Sequence, residues 1–196
     1  MKRGKKLKFP PSAMFVILLM VGFGAGYATK DYILPSQEIF ELPPSPSTPV
    51  AEGDVSVCFT PNKRCQSLII GEIGQAKQSI FVQAYSFTDK EIARALAEAA
   101  KRGVMVKVIL DKSNRKDERS AKGILQDQKI PFRFDAPNGI AHNKIMIIDA
   151  AKVISGSYNF SVAAYKRNTE NLLVIHNAPL AKDYIQNWQG RWDVSK

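Results

Sequence analysis

Apolar residues recur with two different periods along the part of the chain that follows residue 54. Val55, Val57 and Phe59 lie at every second position, which is typical of a strand with one buried face. The segments SIFVQAY and VMVKVIL are rich in β-branched and aromatic side chains, which predicts buried strands. The predicted strands are 55–59, 79–85, 104–110, 144–149, 152–155 and 172–175.

Other segments have the three- and four-residue spacing of one helix face, as Leu68, Ile69 and Ile73 do. Asp89 can cap the helix EIARALAEAAKR, and Gly103 can end it. Helices are thus predicted at 67–77, between Asp89 and Gly103, at 117–128 and at 180–192. Strands interleaved with helices of this length predict an α/β domain with helices on both faces of one sheet. About 140 residues are enough for one good hydrophobic core.

The N-terminal segment differs from the rest of the chain. No charged residue occurs from Phe9 to Thr29, and the preceding residues are strongly basic. Residues 1–28 are therefore predicted to be a signal peptide, with Gly26 and Ala28 near the cleavage site, or an uncleaved membrane anchor over residues 10–28. In both interpretations the following domain is exported, to be periplasmic, secreted or anchored to the inner membrane.

A proline-rich linker is predicted at residues 29–53, because PSQEIFELPPSPSTP favours extended backbone. The folded domain is then expected at residues 54–196. The formal net charge of the whole chain is +10. Five of the basic residues lie in the first 28 residues, which contain no acidic residue, so about half of the excess belongs to the rest. That excess favours a polyanionic partner such as nucleic acid or anionic lipid, and solubility accounts for it equally well.

Cys58 and Cys65 are the two cysteines of the chain. In an exported domain they can form a disulfide that closes the loop CFTPNKRC. The alternative is a pair of reduced thiols. Two cysteines without histidines at matching spacing argue against a structural zinc site.

Residues that can carry chemistry are concentrated between 138 and 171. His142 and Lys144 lie two residues apart on a predicted strand, so their side chains leave the same face. An imidazole beside an ammonium suits attack on a phosphoryl group, with the ammonium neutralising the non-bridging oxygens. Ser157 and Asn159 can donate to the same oxygens.

Two further residues complete this predicted site. Gly156 would let the backbone come close to a phosphate, because it has no side chain. Glu170 is a carboxylate that can orient an imidazole through its second nitrogen. No glycine-rich nucleotide loop or metal-ligand cluster is evident, so neither a metal nor a cofactor is expected.

The segment HNKIMIID fits the pattern H-x-K-x4-D and resembles the phospholipase D superfamily. The downstream GSYN and the spacing to Glu170 are similar to the short bacterial endonuclease branch of that superfamily. Further similarity lies in AYSFT, in RGVMVKVILD and in the pair Trp188 and Trp192. Together these segments cover nearly all of residues 54–192.

The resemblance implies an α/β/α sandwich with a mixed sheet flanked by helices. It also implies metal-independent phosphodiester hydrolysis through a covalent phosphohistidine. By position, His142 would be the nucleophile, Glu170 the partner of an imidazole, and the phosphate ligands Lys144, Ser157 and Asn159. Asp149 lies on the opposite strand face from Lys144, so we interpret it as a structural hydrogen-bonding residue.

One chain contains a single copy of the motif, whereas superfamily members with two motifs take one histidine from each. The other histidine, His176, has no lysine two residues further on and is interpreted as structural. The resemblance therefore implies a homodimer with a shared active site at the two-fold axis.

Three functions remain open from the sequence. The first is an exported non-specific endonuclease that cuts DNA, with RNA as a further candidate substrate. The second is a phospholipase D that acts on membrane phospholipid beside its own anchor. The third is a nucleic-acid-binding or uptake protein with a relic site, against which the intact motif argues.

Basic and aromatic residues outside the motif have two interpretations. Five cations can form a nucleic-acid track or a solvated helix face: Lys112, Arg115, Lys116, Arg119 and Lys122. Tyr85, Phe87 and Phe134 are expected in the core rather than as platforms for stacking bases.

Overall fold

The computed structural model describes residues 55–196. The predicted signal or anchor segment, the linker and the domain boundary at Asp54 lie outside the described residues. Within residues 55–196 the chain forms one seven-stranded sheet in the order β1-β7-β6-β5-β2-β3-β4. The strands are β1 Val55–Phe59, β2 Ser79–Ala84, β3 Met105–Asp111, β4 Phe132–Asp135, β5 Lys144–Ile148, β6 Lys152–Gly156 and β7 Asn171–His176.

The sheet is mixed, as the resemblance implied. β2 pairs in parallel with β3, and β3 pairs in parallel with β4. The pairs β1–β7, β6–β7, β5–β6 and β2–β5 are antiparallel. Because β5 runs against β2, the residues that precede β5 lie at the same end of the sheet as the residues that follow β2.

Within the described residues, five α-helices cover the sheet. They are α1 Arg64–Gln75, α2 Lys90–Lys101, α3 Lys122–Asp127, α4 Val162–Lys166 and α5 Ala178–Val194. The main core lies between one sheet face and helices α1 to α4, and contains Ile69, Ile92 and Leu125. The second core lies between the other face and α5. The predicted helices on both faces of an α/β sheet are therefore confirmed.

Helix α5 is held to its sheet face by tryptophan side chains. Trp188 stacks on Phe81 and on Trp192, with ring centroids 4.8 and 5.0 Å apart. The Trp188 indole also donates to the carbonyl of Val82 at 2.9 Å. A buried indole N–H needs such an acceptor, so this bond fixes the register of α5 on the sheet.

Three elements differ from the sequence-based prediction. The helix predicted at 117–128 begins only at Lys122, because the Asp117 carboxylate accepts from the Arg119 backbone and holds a turn there. Strand β4 was not predicted, since four residues offer only two apolar positions. Helix α4 was not predicted either, and its five residues are too few for a periodic pattern.

Candidate active site

The end of the sheet where β2, β3 and β6 finish and β5 and β7 begin gathers the predicted site residues. Ala84 at the end of β2 pairs with Lys144 at the start of β5. Gly156 at the end of β6 pairs with Leu172 near the start of β7. The end of the β4–β5 connection and the start of β5, which carry residues 142 and 144, therefore lie at the same end of the sheet as the β6–β7 connection, which carries residues 157, 159 and 170.

Lys144 is a buried lysine, with 8% of its surface exposed. Its ammonium donates to the carbonyl oxygen of His142 at 3.1 Å and lies 5.2 Å from the centroid of the Tyr85 ring. Burial lowers the pKa of Lys144, and the charge of Glu170 opposes part of that shift. Within residues 55–196 it has no ion-pair partner, so the remaining N–H groups are available to an anion.

His142 lies directly before β5, against the ring of Tyr85. The two rings meet edge to face with centroids 4.6 Å apart. The backbone of Tyr85 is itself fixed, because its N–H donates to the carbonyl of Asn143 at 2.8 Å. Tyr85 was expected in the core, and it instead packs half-buried against the imidazole and the ammonium.

Glu170 is held at both carboxylate oxygens. The Ser157 hydroxyl donates to one oxygen at 2.6 Å, and the Asn168 amide donates to the other at 2.8 Å. The Ser157 oxygen in turn accepts from the Asn171 backbone at 3.0 Å. The single hydroxyl hydrogen of Ser157 is thus given to Glu170 rather than left for a phosphate, and Glu170 makes no hydrogen bond to His142 of its own chain.

Gly156 and Asn159 flank this carboxylate network. Gly156 has φ of +141°, and a Cβ there would lie 2.5 Å from the Asn171 carbonyl oxygen, so only glycine fits. The amide oxygen of Asn159 is buried and has no partner within residues 55–196. An amide oxygen only accepts, so it is the amide nitrogen of Asn159 that could donate to a bound phosphate.

Asp149 lies at the opposite end of β5 from Lys144. Its carboxylate accepts from the backbone N–H groups of Lys77, Gln78 and Ser79 at 2.9, 2.7 and 3.0 Å. Burial alone would raise the pKa of Asp149, but these hydrogen bonds and the charge of Lys152 outweigh it and lower the pKa. Asp149 therefore ties the loop before β2 to the end of β5.

Sequence reasoning missed the residues that shape the loop before His142. The buried Asp111 carboxylate, at the end of β3, accepts from the Ala141 backbone at 2.7 Å and from Ser113 at 2.9 Å. Asn114 is buried as well and donates to the carbonyl of Tyr85 at 2.7 Å. An acidic residue at the end of a buried strand was the available signal for Asp111.

Thr60 was also missed, and it connects the cysteine loop to the site. Cys58 and Cys65 are joined by a disulfide and are both buried. Thr60, two residues after Cys58, donates through its hydroxyl to the Asn168 carbonyl at 2.9 Å. The same oxygen accepts from the Glu170 N–H at 3.0 Å, and the Thr60 N–H donates to the Glu170 carbonyl at 3.1 Å.

The five cations of residues 112–122 do not form one track. Lys112 donates to the Pro137 carbonyl, Arg115 lies over the Phe134 ring, and Arg119 pairs with Asp117. Of the aromatic residues expected in the core, Phe87 is fully buried, whereas Phe134 is half-buried beside Arg115.

A cavity of about 420 Å³ opens beside His142. It lies between the start of β5, the end of β6 and helix α5. Asp183, Tyr184 and Asn187 line it from the helix. Among residues 55–196, no three His, Cys, Asp or Glu side chains group closely enough to hold a metal ion. In the same residues, every helix is too short or too polar to cross a membrane.

Comparison with known proteins decides the family. Residues 69–192 match the family model described as "Cardiolipin synthase, PLD-like domain". The chain belongs to the phospholipase D-like family. It is a phosphodiester hydrolase of that family, and its fold is the family's mixed sheet between helices.

Relatives and solved structures of this family cover most of the domain. The chain is 44% identical over 164 residues to the phospholipase D of Rickettsia typhi, covering 83% of this chain and 78% of the relative. It is 26% identical over 155 residues to the mitochondrial cardiolipin hydrolase of Xenopus laevis, covering 74% of each.

Two similar structures come from bacteria. The phospholipase D family member Nuc of Salmonella typhimurium is 37% identical, with a TM-score of 0.70, and the match covers 72% of this chain and 95% of Nuc. NucT of Helicobacter pylori is 29% identical, with a TM-score of 0.65, and the match covers 72% and 96%.

Proposed function

We propose that this phospholipase D-like protein hydrolyses phosphodiesters without a metal, through a phosphohistidine on His142. The observation that carries this proposal is the Lys144 ammonium, buried beside His142 and not neutralised by an ion pair within residues 55–196. Such a charge can hold the non-bridging oxygens of a phosphate and stabilise the charge that develops during attack.

The proposed reaction has two steps. In the first, a ring nitrogen of His142 bonds to phosphorus, the bond from phosphorus to the leaving oxygen breaks, and a second imidazole gives that oxygen a proton. In the second, water loses a proton to the second imidazole and attacks phosphorus, and the bond to His142 breaks. Asn159 donates to the phosphate, whereas Ser157 acts by positioning Glu170.

We propose nucleic acid as the substrate, cut as an exported endonuclease with little sequence preference. The positive charge of the chain supports this, and so does the similarity to Nuc and NucT in length and fold. The second candidate is membrane phospholipid, which the names of the Rickettsia and Xenopus relatives favour. Binding or uptake of nucleic acid without hydrolysis is the third candidate.

Export is part of the proposal. The basic, then apolar N-terminus supports a signal peptide or an anchor, and the bonded Cys58 and Cys65 suit an oxidising compartment. Fractionation of cells that express the full chain, with the mass of the recovered protein, tests both export and cleavage. A full-length protein in the cytoplasm would contradict this part.

We propose a homodimer because the reaction needs a second imidazole at the site. Residues 55–196 contain His142 and His176, and His176 is the last residue of β7, at the end of the sheet opposite the site. β7 rises by about 3.4 Å per residue, which places His176 roughly 17 Å from the start of the strand. A two-fold axis would bring a second His142 to the site instead.

One assay tests the activity and the substrate together. The full chain is incubated with plasmid DNA and with labelled phospholipid vesicles, each in EDTA. We expect DNA cleavage that persists in EDTA, His142→Ala to abolish it, and Lys144→Ala to lower it by roughly 10²-fold or more.

His176→Ala is the matched control, since it removes the other histidine of the chain, which is exposed, and should leave cleavage intact. Loss of activity in EDTA that a divalent ion restores would contradict the metal-independent mechanism. Preferential turnover of vesicles would make phospholipid the substrate.

A further inference from the structure

A cavity other than the one beside His142 is lined by several basic residues. A cavity of about 690 Å³ is bounded by the segment after β2, the turn before α3 and the start of α4. Three cations and three hydroxyl side chains contribute to its lining: Lys90, Arg119, Arg167, Ser86, Thr88 and Ser161. We call this cavity the basic groove.

The charge in the basic groove is only partly compensated. Arg119 pairs with Asp117, and Glu118 is the acidic residue of the lining. Lys90 and Arg167 are exposed and form no ion pair with any residue from 55 to 196. The hydroxyls of Ser86 and Thr88 donate to no other group in that range, so donors and positive charge face the same space.

Two short backbone segments each carry residues of the basic groove and residues of the site. Ser86 follows Tyr85, whose ring contacts His142, and Ser161 lies two residues after Asn159. The two segments are held together by a bridge between Phe87 and Phe160, with the Thr88 N–H donating to the Phe160 carbonyl at 3.0 Å. Residues that line the groove therefore lie one or two positions along the chain from residues of the site.

We propose that the basic groove binds a second phosphate of the nucleic-acid strand whose scissile phosphate lies at His142 and Lys144. This inference rests on the proposed function and deepens it by assigning residues to the substrate polymer. Lys90 and Arg167 neutralise the second phosphate, and Ser86 and Thr88 donate to its oxygens. The cations and hydroxyls of the lining suit a phosphate, and Val162 and Ala163 are its two apolar residues.

Binding of an uncleaved strand tests the groove independently of catalysis. The full chain carrying His142→Ala is titrated with a labelled 20-nucleotide single strand over a range of salt concentrations. Adding Lys90→Gln and Arg167→Gln should weaken binding on the order of tenfold and flatten the salt slope by about 0.7, since one phosphate of the single strand is no longer neutralised.

The matched control is the pair Lys116→Gln and Lys182→Gln, which removes two exposed charges outside the groove. It should change the slope far less. In the active chain, the groove variant should lose at least tenfold more kcat/KM on the 20-nucleotide strand than on a small diester with one phosphate.

An unchanged salt slope, or an equal loss in the control pair, would overturn the second phosphate site. A larger loss of binding to anionic lipid vesicles than to the strand would also overturn it in favour of a membrane contact. A chain that hydrolyses no diester at all refutes the proposed function, and the binding titration still decides the groove.

Discussion

Lys144 sets the expected alkaline limit of activity. A buried lysine with a lowered pKa loses its proton below the ordinary value of 10.5, and the neutral amine no longer stabilises a phosphate. We expect kcat/KM to fall with rising pH at a midpoint below 10.5, which reports the free enzyme. Because the charge of Glu170 raises this pKa, Glu170→Gln should move the midpoint to still lower pH.

The position of that midpoint is informative even if Glu170→Gln lowers the rate. Glu98→Gln is the control, since Glu98 is exposed on α2 and pairs with Lys101. It removes the same charge and should leave the midpoint where it is. If Glu170→Gln does not move the midpoint, the group whose titration lowers kcat/KM is not Lys144.

Gly156 adopts a backbone conformation beside the site that a residue with a side chain cannot adopt without strain. Gly156→Ala introduces a Cβ 2.5 Å from the Asn171 carbonyl in a left-handed conformation. We expect a loss of about 2 kcal/mol or more in unfolding free energy, and reduced activity, because β6 and β7 must separate. Denaturant unfolding measures the first effect.

Gly71→Ala is a matched control for that substitution. Gly71 lies inside α1, and a Cβ there meets no atom within 4 Å. Alanine should stabilise the helix by about 0.5–1 kcal/mol. Equal effects at the two glycines would mean that the contact with Asn171 is not tight.

At the scale of elements, β1 and the cysteine loop hold the segment that carries Glu170. Thr60 makes three hydrogen bonds to residues 168–170 and is 6% exposed. Thr60→Val keeps the shape and removes the hydroxyl, which leaves the Glu170 N–H without its acceptor. We expect about 1–3 kcal/mol lower stability and a drop in kcat, with Thr60→Ser restoring both.

A purely structural role would give a different pattern. If Thr60 acts through Glu170, Thr60→Val should also shift the alkaline midpoint of kcat/KM in the direction that Glu170→Gln shifts it. If Thr60→Val lowers stability but leaves the pH profile unchanged, Thr60 has a structural role only.

Sequence patterns predicted the long elements and the motif residues but not the connections that unite them. Six of the seven strands follow from period or β-branched composition, whereas β4 forms because it can pair with β3. His142 and Lys144 lie two residues apart in the sequence, so local spacing revealed them. Thr60 and Asp111 reach the site only through pairing between distant segments, which no local spacing reports.

For the same physical reason, the sequence could not predict that the Ser157 hydroxyl donates to Glu170. A hydroxyl two residues from Asn159 can face a phosphate or a carboxylate, and the choice depends on where residue 170 lies. The antiparallel pairing of β6 with β7 brings Glu170 to it. The site is thus a property of the sheet order rather than of one segment.

At the scale of the whole molecule, the proposed chemistry needs a second imidazole that residues 55–196 of one chain do not place at the site. The leaving oxygen must be protonated, and an imidazole is the suitable acid near neutral pH. Lys144 must keep its positive charge to hold the phosphate, and Glu170 is held at both oxygens by Ser157 and Asn168. The candidate acid is therefore His142 of a second copy.

We expect the active species to be a homodimer with one site on its two-fold axis. Sedimentation of the full chain across a dilution series, with activity measured on the same samples, should show specific activity falling as the dimer dissociates. Trapping the intermediate by denaturation should give at most about one phosphohistidine for every two chains, since one histidine attacks while its copy protonates. Full activity in a demonstrated monomer, or one phosphohistidine on every chain, would place the acid within the single chain and refute the shared site.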